Sequence, residues 1–133
     1  MIFGIGTDIC QIGRVADALA RSERFADKVL GPDELEIYRA RKAVSPVRAH
    51  RFVATRFAAK EAFGKAIGTG VATPMTLHNA QLLNQANGKP VMVCTGTLAE
   101  FMQQNRLSSH VTVSDEADYA VAFVVVEQAP EQK

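Results

Sequence analysis

Two carboxylates have the residue type and setting for metal chemistry: Asp8, at the end of Met1-Ile2-Phe3-Gly4-Ile5-Gly6-Thr7, and Glu61, within a basic stretch. Magnesium prefers hard oxygen donors and commonly takes one or two carboxylates, leaving its other positions to water and substrate phosphates. Spacing alone does not bring the two together, so a shared metal site and ordinary salt bridging both stay open. Glu61 and Lys65 are four residues apart, and on a helix they either pair or flank one ligand. Gly68-Thr69-Gly70 permits close backbone approach to a ligand, or only ends a helix. His110 opens a predicted strand, where it can hydrogen-bond a phosphate, move a proton or be structural; His50 and His78 have no comparable pattern.

Charge is segregated along the chain. The net charge is only +1, yet from Arg39 to Ala99 the bases are Arg39, Arg41, Lys42, Arg48, Arg51, Arg56, Lys60, Lys65 and Lys89, and the one acid is Glu61. A strongly positive middle concentrates an anionic ligand and leaves its single carboxylate paired or metal-bound. RNA is one such anion. However, the chain lacks tryptophan, and Phe52, Phe57 and Phe63 fall on a predicted helix where core packing explains them better than base stacking.

The remaining composition narrows the class further. At 133 residues, with 47% apolar and 22% charged residues, the chain suits one globular domain, expected over residues 1–127, with a frayed tail over 128–133. Cys10 and Cys94 are too few for a disulfide framework or a four-ligand zinc site. No apolar run reaches the roughly 20 residues that span a bilayer, so a cytoplasmic protein is expected. Neither a glycine-rich phosphate loop nor paired zinc-helix histidines occur.

The elements that must position these residues follow from periodicity. Met1 to Ile9 reads as a short buried strand ending near Asp8. Ile12, Val15 and Leu19 recur at helical spacing, with Arg14 and Arg21 on another face. Leu30 to Glu34 turns into a second helix, with proline early and acids in its first turn. After Ser45-Pro46, a long helix from Val47 to Ile67 presents Phe52, Ala59, Ala62, Phe63 and Ala66 on one small-residue face. Asn79–Leu83 and Val91–Cys94 form a hairpin around Asn87-Gly88-Lys89-Pro90. Thr97 to Glu100 matches a capping box, and His110–Ser114 and Tyr119–Glu127 form a second hairpin. The expected fold is α+β with mainly antiparallel pairing around a long central helix.

Four segments together resemble the holo-acyl-carrier-protein synthase family of phosphopantetheinyl transferases. They are Gly4-Ile5-Gly6-Thr7-Asp8-Ile9, the run from Arg56 through Lys60-Glu61 and Lys65 to Gly70, Asn87-Gly88-Lys89-Pro90, and His110 to Ser114. Their order matches too, and the likeness covers nearly the whole chain. The resemblance implies that Asp8 and Glu61 meet at a magnesium ion on the coenzyme A pyrophosphate, with Lys65 near the same phosphates as a catalytic partner. It further implies that Arg56 and His110 surround the nucleotide phosphates, together with Lys65, Gly68, Thr69, Gly70 and Asn87 to Pro90. Larger relatives carry a second metal-binding acid two residues after the first; here Cys10 stands there.

The implied reaction moves the 4′-phosphopantetheine of coenzyme A onto a serine of apo-acyl carrier protein for fatty acid biosynthesis, releasing adenosine 3′,5′-bisphosphate. Glu61 or, less directly, Asp115 is a candidate base. Carrier proteins of this kind are acidic, so Arg14, Arg21 and Arg24 offer a docking face. The resemblance also implies a homotrimer with active sites between subunits, and neither nucleic acid nor membrane as partner. The phosphate contacts of Lys42, Arg48 and Arg51 stay open, as does a coenzyme A-binding protein without turnover.

Overall fold

The computed structural model describes residues 1–131. The order is β1 (Ile2–Gln11), α1 (Ile12–Arg21), α2 (Arg24–Val29), α3 (Pro32–Val44), α4 (Pro46–Ile67), β2 (Ala80–Asn84), β3 (Pro90–Cys94), α5 (Gly96–Gln104), β4 (Leu107–Asp115) and β5 (Tyr119–Gln128). An antiparallel sheet runs β1-β5-β4, and β2-β3 form a separate antiparallel hairpin. The α+β architecture therefore matches expectation. Gln128, expected to open a frayed tail, instead closes β5 and pairs with Leu107; residues 132–133 lie outside the described residues.

α4 packs across the sheet because its apolar positions there are small and the facing strand carries glycine at positions 4 and 6. A Cβ on Gly4 would lie 1.9 Å from the Ala66 carbonyl oxygen, and one on Gly6 would lie 1.9 Å from that of Ala62. Only glycine allows this approach. Ala58, Ala59, Ala62, Phe63 and Ala66 bury against Ala122, Val124 and Val126 of β5 and Leu82 of β2. On the other side of α4, Phe52 and Val53 join Ile12, Val15, Leu19, Val29 and Tyr38. Fully burying each of Phe52 and Phe63 contributes about 1.5–3 kcal/mol.

Helix ends follow from local chemistry. Ser45 accepts from the Arg48 N–H at 3.4 Å, with Pro46 in the first turn. Gly68 closes α4 at φ 85°, and the Gly70 N–H returns to the Gly64 carbonyl at 2.9 Å. α3 is capped from outside: Gln81 of β2 accepts from the Asp33 and Glu34 N–H groups at 2.9 and 3.2 Å.

Several expectations change. β1 is half-buried, not buried: its even residues face α4, while Phe3, Ile5 and Ile9 are exposed, Ile9 at 63%. α2 is an additional helix, too short for periodicity to reveal, anchored by Ala26 and Val29. β4 begins at Leu107, so His110 lies within the strand rather than at its start. The capping box at Thr97 does not form: Thr95 is the N-cap of α5, and the Thr97 hydroxyl donates to Pro74 O at 3.0 Å.

Candidate active site

The close β1–α4 contact sets the site. Glu61 and Lys65 flank Ala62 and Ala66, the helix positions against which Gly4 and Gly6 rest, and Asp8 follows on the same face of β1. Lys65 Nζ donates to Thr7 O at 2.9 Å and lies 3.4 Å from Asp8 Oδ1. Glu61 is half-buried. Burial raises its carboxyl above the ordinary range, the Asp8 charge raises it further, and Lys65 opposes both. Asp8, Glu61 and Lys65, distant in sequence, thus form one cluster with an excess of negative charge.

A second group gathers at the far side of α4. Arg41, Arg48, Arg51 and Arg56 line a cavity of about 220 Å³ that also meets Asp115 and Val113 at the end of β4. Arg56 is only 5% exposed, lies over the Phe52 ring at 4.0 Å, and donates to Thr55 Oγ1 at 3.0 Å. Among the described residues, the buried Nε atoms of Arg51 and Arg56 have no hydrogen-bond partner. Burial, and secondarily Arg41, lower the Arg56 guanidinium to about 10, so it stays charged at neutral pH. Four guanidiniums with two buried donors unspent suit an anion such as a phosphate. Arg41 reaches the cavity from α3, and no local sequence pattern around it indicates this.

The structure separates other candidates. His110 stands on the opposite face of the sheet from Asp8, in the row Ile5–Val125–His110, with Nε2 2.5 Å from Glu127 Oε1. Asn87, Gly88 and Lys89 lie in the β2–β3 turn and Pro90 opens β3; the Lys89 N–H donates to Asn87 Oδ1 at 3.0 Å and Gly88 takes φ 86°. Gly68, Thr69 and Gly70 act in terminating α4, the Thr69 hydroxyl donating to Gly70 O at 2.8 Å. Lys42 pairs with Glu23 at 2.8 Å, away from the cavity that takes Arg48 and Arg51.

The positive middle is therefore weaker than a count along the chain indicates. Acids from outside that stretch fold onto it: Glu23 meets Lys42, Asp115 lies 3.9 Å from Arg51, and Glu34 meets Lys60. Lys60 is fully buried and points into the protein interior.

Arg14, Arg21 and Arg24 are exposed as expected, Arg21 in the last turn of α1 and Arg24 opening α2. Arg14 borders a cavity of about 520 Å³ with Ile9, Cys10, Phe25, Phe57 and Tyr119, so basic charge rims an apolar floor directly beyond Asp8 along β1. No helix among the described residues is long and apolar enough to cross a membrane.

A glycine strand against a Lys-Glu helix, with acids meeting at the join, agrees with what comparison finds: residues 4–124 match the 4′-phosphopantetheinyl transferase superfamily, and the chain belongs to that family. The holo-[acyl-carrier-protein] synthase of Herminiimonas arsenicoxydans is 57% identical over 129 residues, covering 96% of this chain and 99% of that protein. The Neisseria meningitidis holo-[acyl-carrier-protein] synthase structure superposes with a TM-score of 0.87 at 36% identity, covering 96% of this chain and all of that one. The Bacillus anthracis enzyme, solved in complex with CoA (3′,5′-ADP), gives 0.81 at 32% identity, covering 97% and 99%.

Proposed function

We propose that this chain transfers 4′-phosphopantetheine from coenzyme A to a serine of apo-acyl carrier protein, giving holo-acyl carrier protein for fatty acid biosynthesis in the cytoplasm. The observation that carries this reading is the meeting of Asp8, Glu61 and Lys65 between β1 and α4. The serine Oγ forms a bond to the phosphorus bearing pantetheine, the bond to the leaving phosphate oxygen breaks, and the hydroxyl proton departs. Adenosine 3′,5′-bisphosphate is the leaving group.

Asp8 and Glu61 suit magnesium. They offer hard oxygens, and their mutual repulsion, only partly offset by Lys65, is relieved by a divalent cation. When bound, the ion supplies positive charge against the pyrophosphate. The chain itself does the rest by placement and fixed charge. Lys65, anchored by Thr7 O, stands at the same edge to meet charge growing on the leaving phosphate. Glu61, whose carboxyl is raised towards neutrality, is the candidate to accept the serine proton, directly or across one water, with Asp115 an alternative base. Arg56, with Arg41, Arg48 and Arg51, offers a basic pocket for a further phosphate of the nucleotide. The family resemblance adds Gly68 to Gly70, Asn87 to Pro90 and His110 to the nucleotide envelope, although within one chain none of them lines the arginine cavity.

The exposed apolar side of the β1-β5-β4 sheet supports association of copies, and the family resemblance sets the expected number at three. Ile5, Ile9, Tyr119, Val121 and Phe123 are all more than a third exposed there, and such a face normally finds a partner. His110 shares that face, so a neighbouring copy would carry it towards a site that one chain leaves incomplete.

The deciding experiment incubates apo-acyl carrier protein with this chain, coenzyme A and magnesium, with a chelator control, and reads intact mass. A magnesium-dependent gain of one phosphopantetheine is expected. No gain across several carriers would favour a coenzyme A-binding protein without turnover. For docking, Arg14→Glu should raise the carrier-protein KM about tenfold and leave that for coenzyme A unchanged, because one charge of the rim is reversed. An unchanged carrier KM would remove Arg14 from the interface.

A further inference from the structure

Lys60 immediately precedes Glu61, yet both it and Glu34 are wholly excluded from solvent. Its ammonium spends all three N–H groups: on Glu34 Oε1 at 2.5 Å, Leu77 O at 2.6 Å and Val29 O at 2.7 Å. Glu34 is equally occupied. Its Oε1 also accepts from the Gly31 N–H at 2.9 Å, and its Oε2 accepts from the Leu82 N–H at 2.9 Å. One buried pair therefore ties α4 to the end of α2, the start of α3, the segment before β2, and β2 itself.

Such a pair is a poor source of stability. Removing two charges from water costs about what their attraction returns, and apolar residues of similar volume often serve as well or better. What five directional hydrogen bonds do supply is orientation. On a helix, Arg56 lies four residues before Lys60 and shares its face, whereas Glu61 and Lys65 lie about 100° and about 140° further round. The glycine contact of β1 with Ala62 and Ala66 sets how near α4 comes to the strand, and the apolar cores on its two sides set which residues turn inward. Apolar packing is non-directional, and Lys60 adds a directional constraint to it.

We infer that the Glu34–Lys60 pair is a positioning device that fixes the rotation of α4, so that Glu61 and Lys65 face Asp8 while Arg56 faces the arginine-lined cavity. Neither residue of the pair touches substrate. The inference rests on the proposed transfer reaction for its kinetic consequence, but not for its geometric one.

The test compares the parent with the neutral double variant Glu34→Gln/Lys60→Met, and with Lys60→Arg, which keeps the charge but cannot reproduce three short bonds from one nitrogen. The second variant decides the matter if the first does not fold. Nuclear Overhauser contacts between the Lys65 side chain and Thr7–Asp8 report rotation, contacts between Gly4 and Ala66 report helix approach, and thermal melting reports folding. The expected result is a cooperatively folded variant that keeps the Gly4–Ala66 contacts and loses those of Lys65. Its kcat falls about a hundredfold, as misplacement by an ångström allows, with the carrier KM within about twofold of the parent. A folded variant with intact Lys65 contacts and parental kcat overturns the inference. Altered contacts in a protein whose parent transfers nothing would uphold the positioning and sink the proposed reaction instead.

Discussion

Glu61→Gln is expected to melt at the same temperature as the parent or higher, and to turn over about a hundred- to a thousandfold more slowly. The two halves of this result have one cause. Glu61 sits half-buried beside Asp8, and both burial and the neighbouring charge work against its ionised form. Replacing the carboxylate by an amide of the same shape removes that repulsion, so folding loses nothing. The same replacement leaves the proposed metal with one carboxylate and the serine without its proposed base. Turnover assayed across a magnesium titration, beside a thermal melt, checks both. Near-parental turnover at saturating magnesium would remove Glu61 from its role.

Gly6→Ala is expected to damage fold and site together. The added methyl would stand 1.9 Å from the Ala62 carbonyl oxygen and 3.0 Å from the Ala66 nitrogen, both backbone atoms that no rotamer change can move. β1 must therefore draw away from α4, at a cost of about 1–3 kcal/mol or more. That movement widens the join where Asp8 meets Glu61 and Lys65, so residual folded protein should also transfer more slowly. Gly13→Ala is the control: nothing lies within 4 Å of its added methyl, and alanine in a helix should raise stability by about 0.5–1 kcal/mol. Paired denaturation curves and assays distinguish the two glycines; equal behaviour would show that the close approach does not matter.

Much of this arrangement was legible in the residue order, for identifiable reasons. The long helix α4 carried its evidence locally, in the spacing of Phe52, Ala59, Ala62 and Phe63 and in the glycines that end it. The Asn87-Gly88 turn was equally local. Asp8 and Glu61 were different: neither spacing nor composition joined them, and only the family resemblance led to the cluster that the fold assembles. Other features were hidden by their nature. Glycine at positions 4 and 6 erased the alternation that would have shown β1 to have one exposed face. Lys60 counted as one base among nine, although its partner Glu34 lies 26 residues away. Arg41 belongs to the arginine-lined cavity only because α3 and α4 pack together. α2, with six residues, is shorter than two helical turns and so left no repeat to detect.

The wet apolar face of the three-stranded sheet has a consequence for how this chain behaves when it is scarce. If His110 reaches its phosphate only across that face, the catalytic unit is a product of association, and its abundance follows mass action rather than the amount of chain. Activity per chain should then collapse on dilution, in step with the mass measured by light scattering, and recover on reconcentration. A cell would thereby possess a threshold: below a certain copy number the chains are folded and idle. Constant activity per chain down to a scattering mass of one subunit would show the opposite, a self-sufficient monomer whose apolar face has some other use.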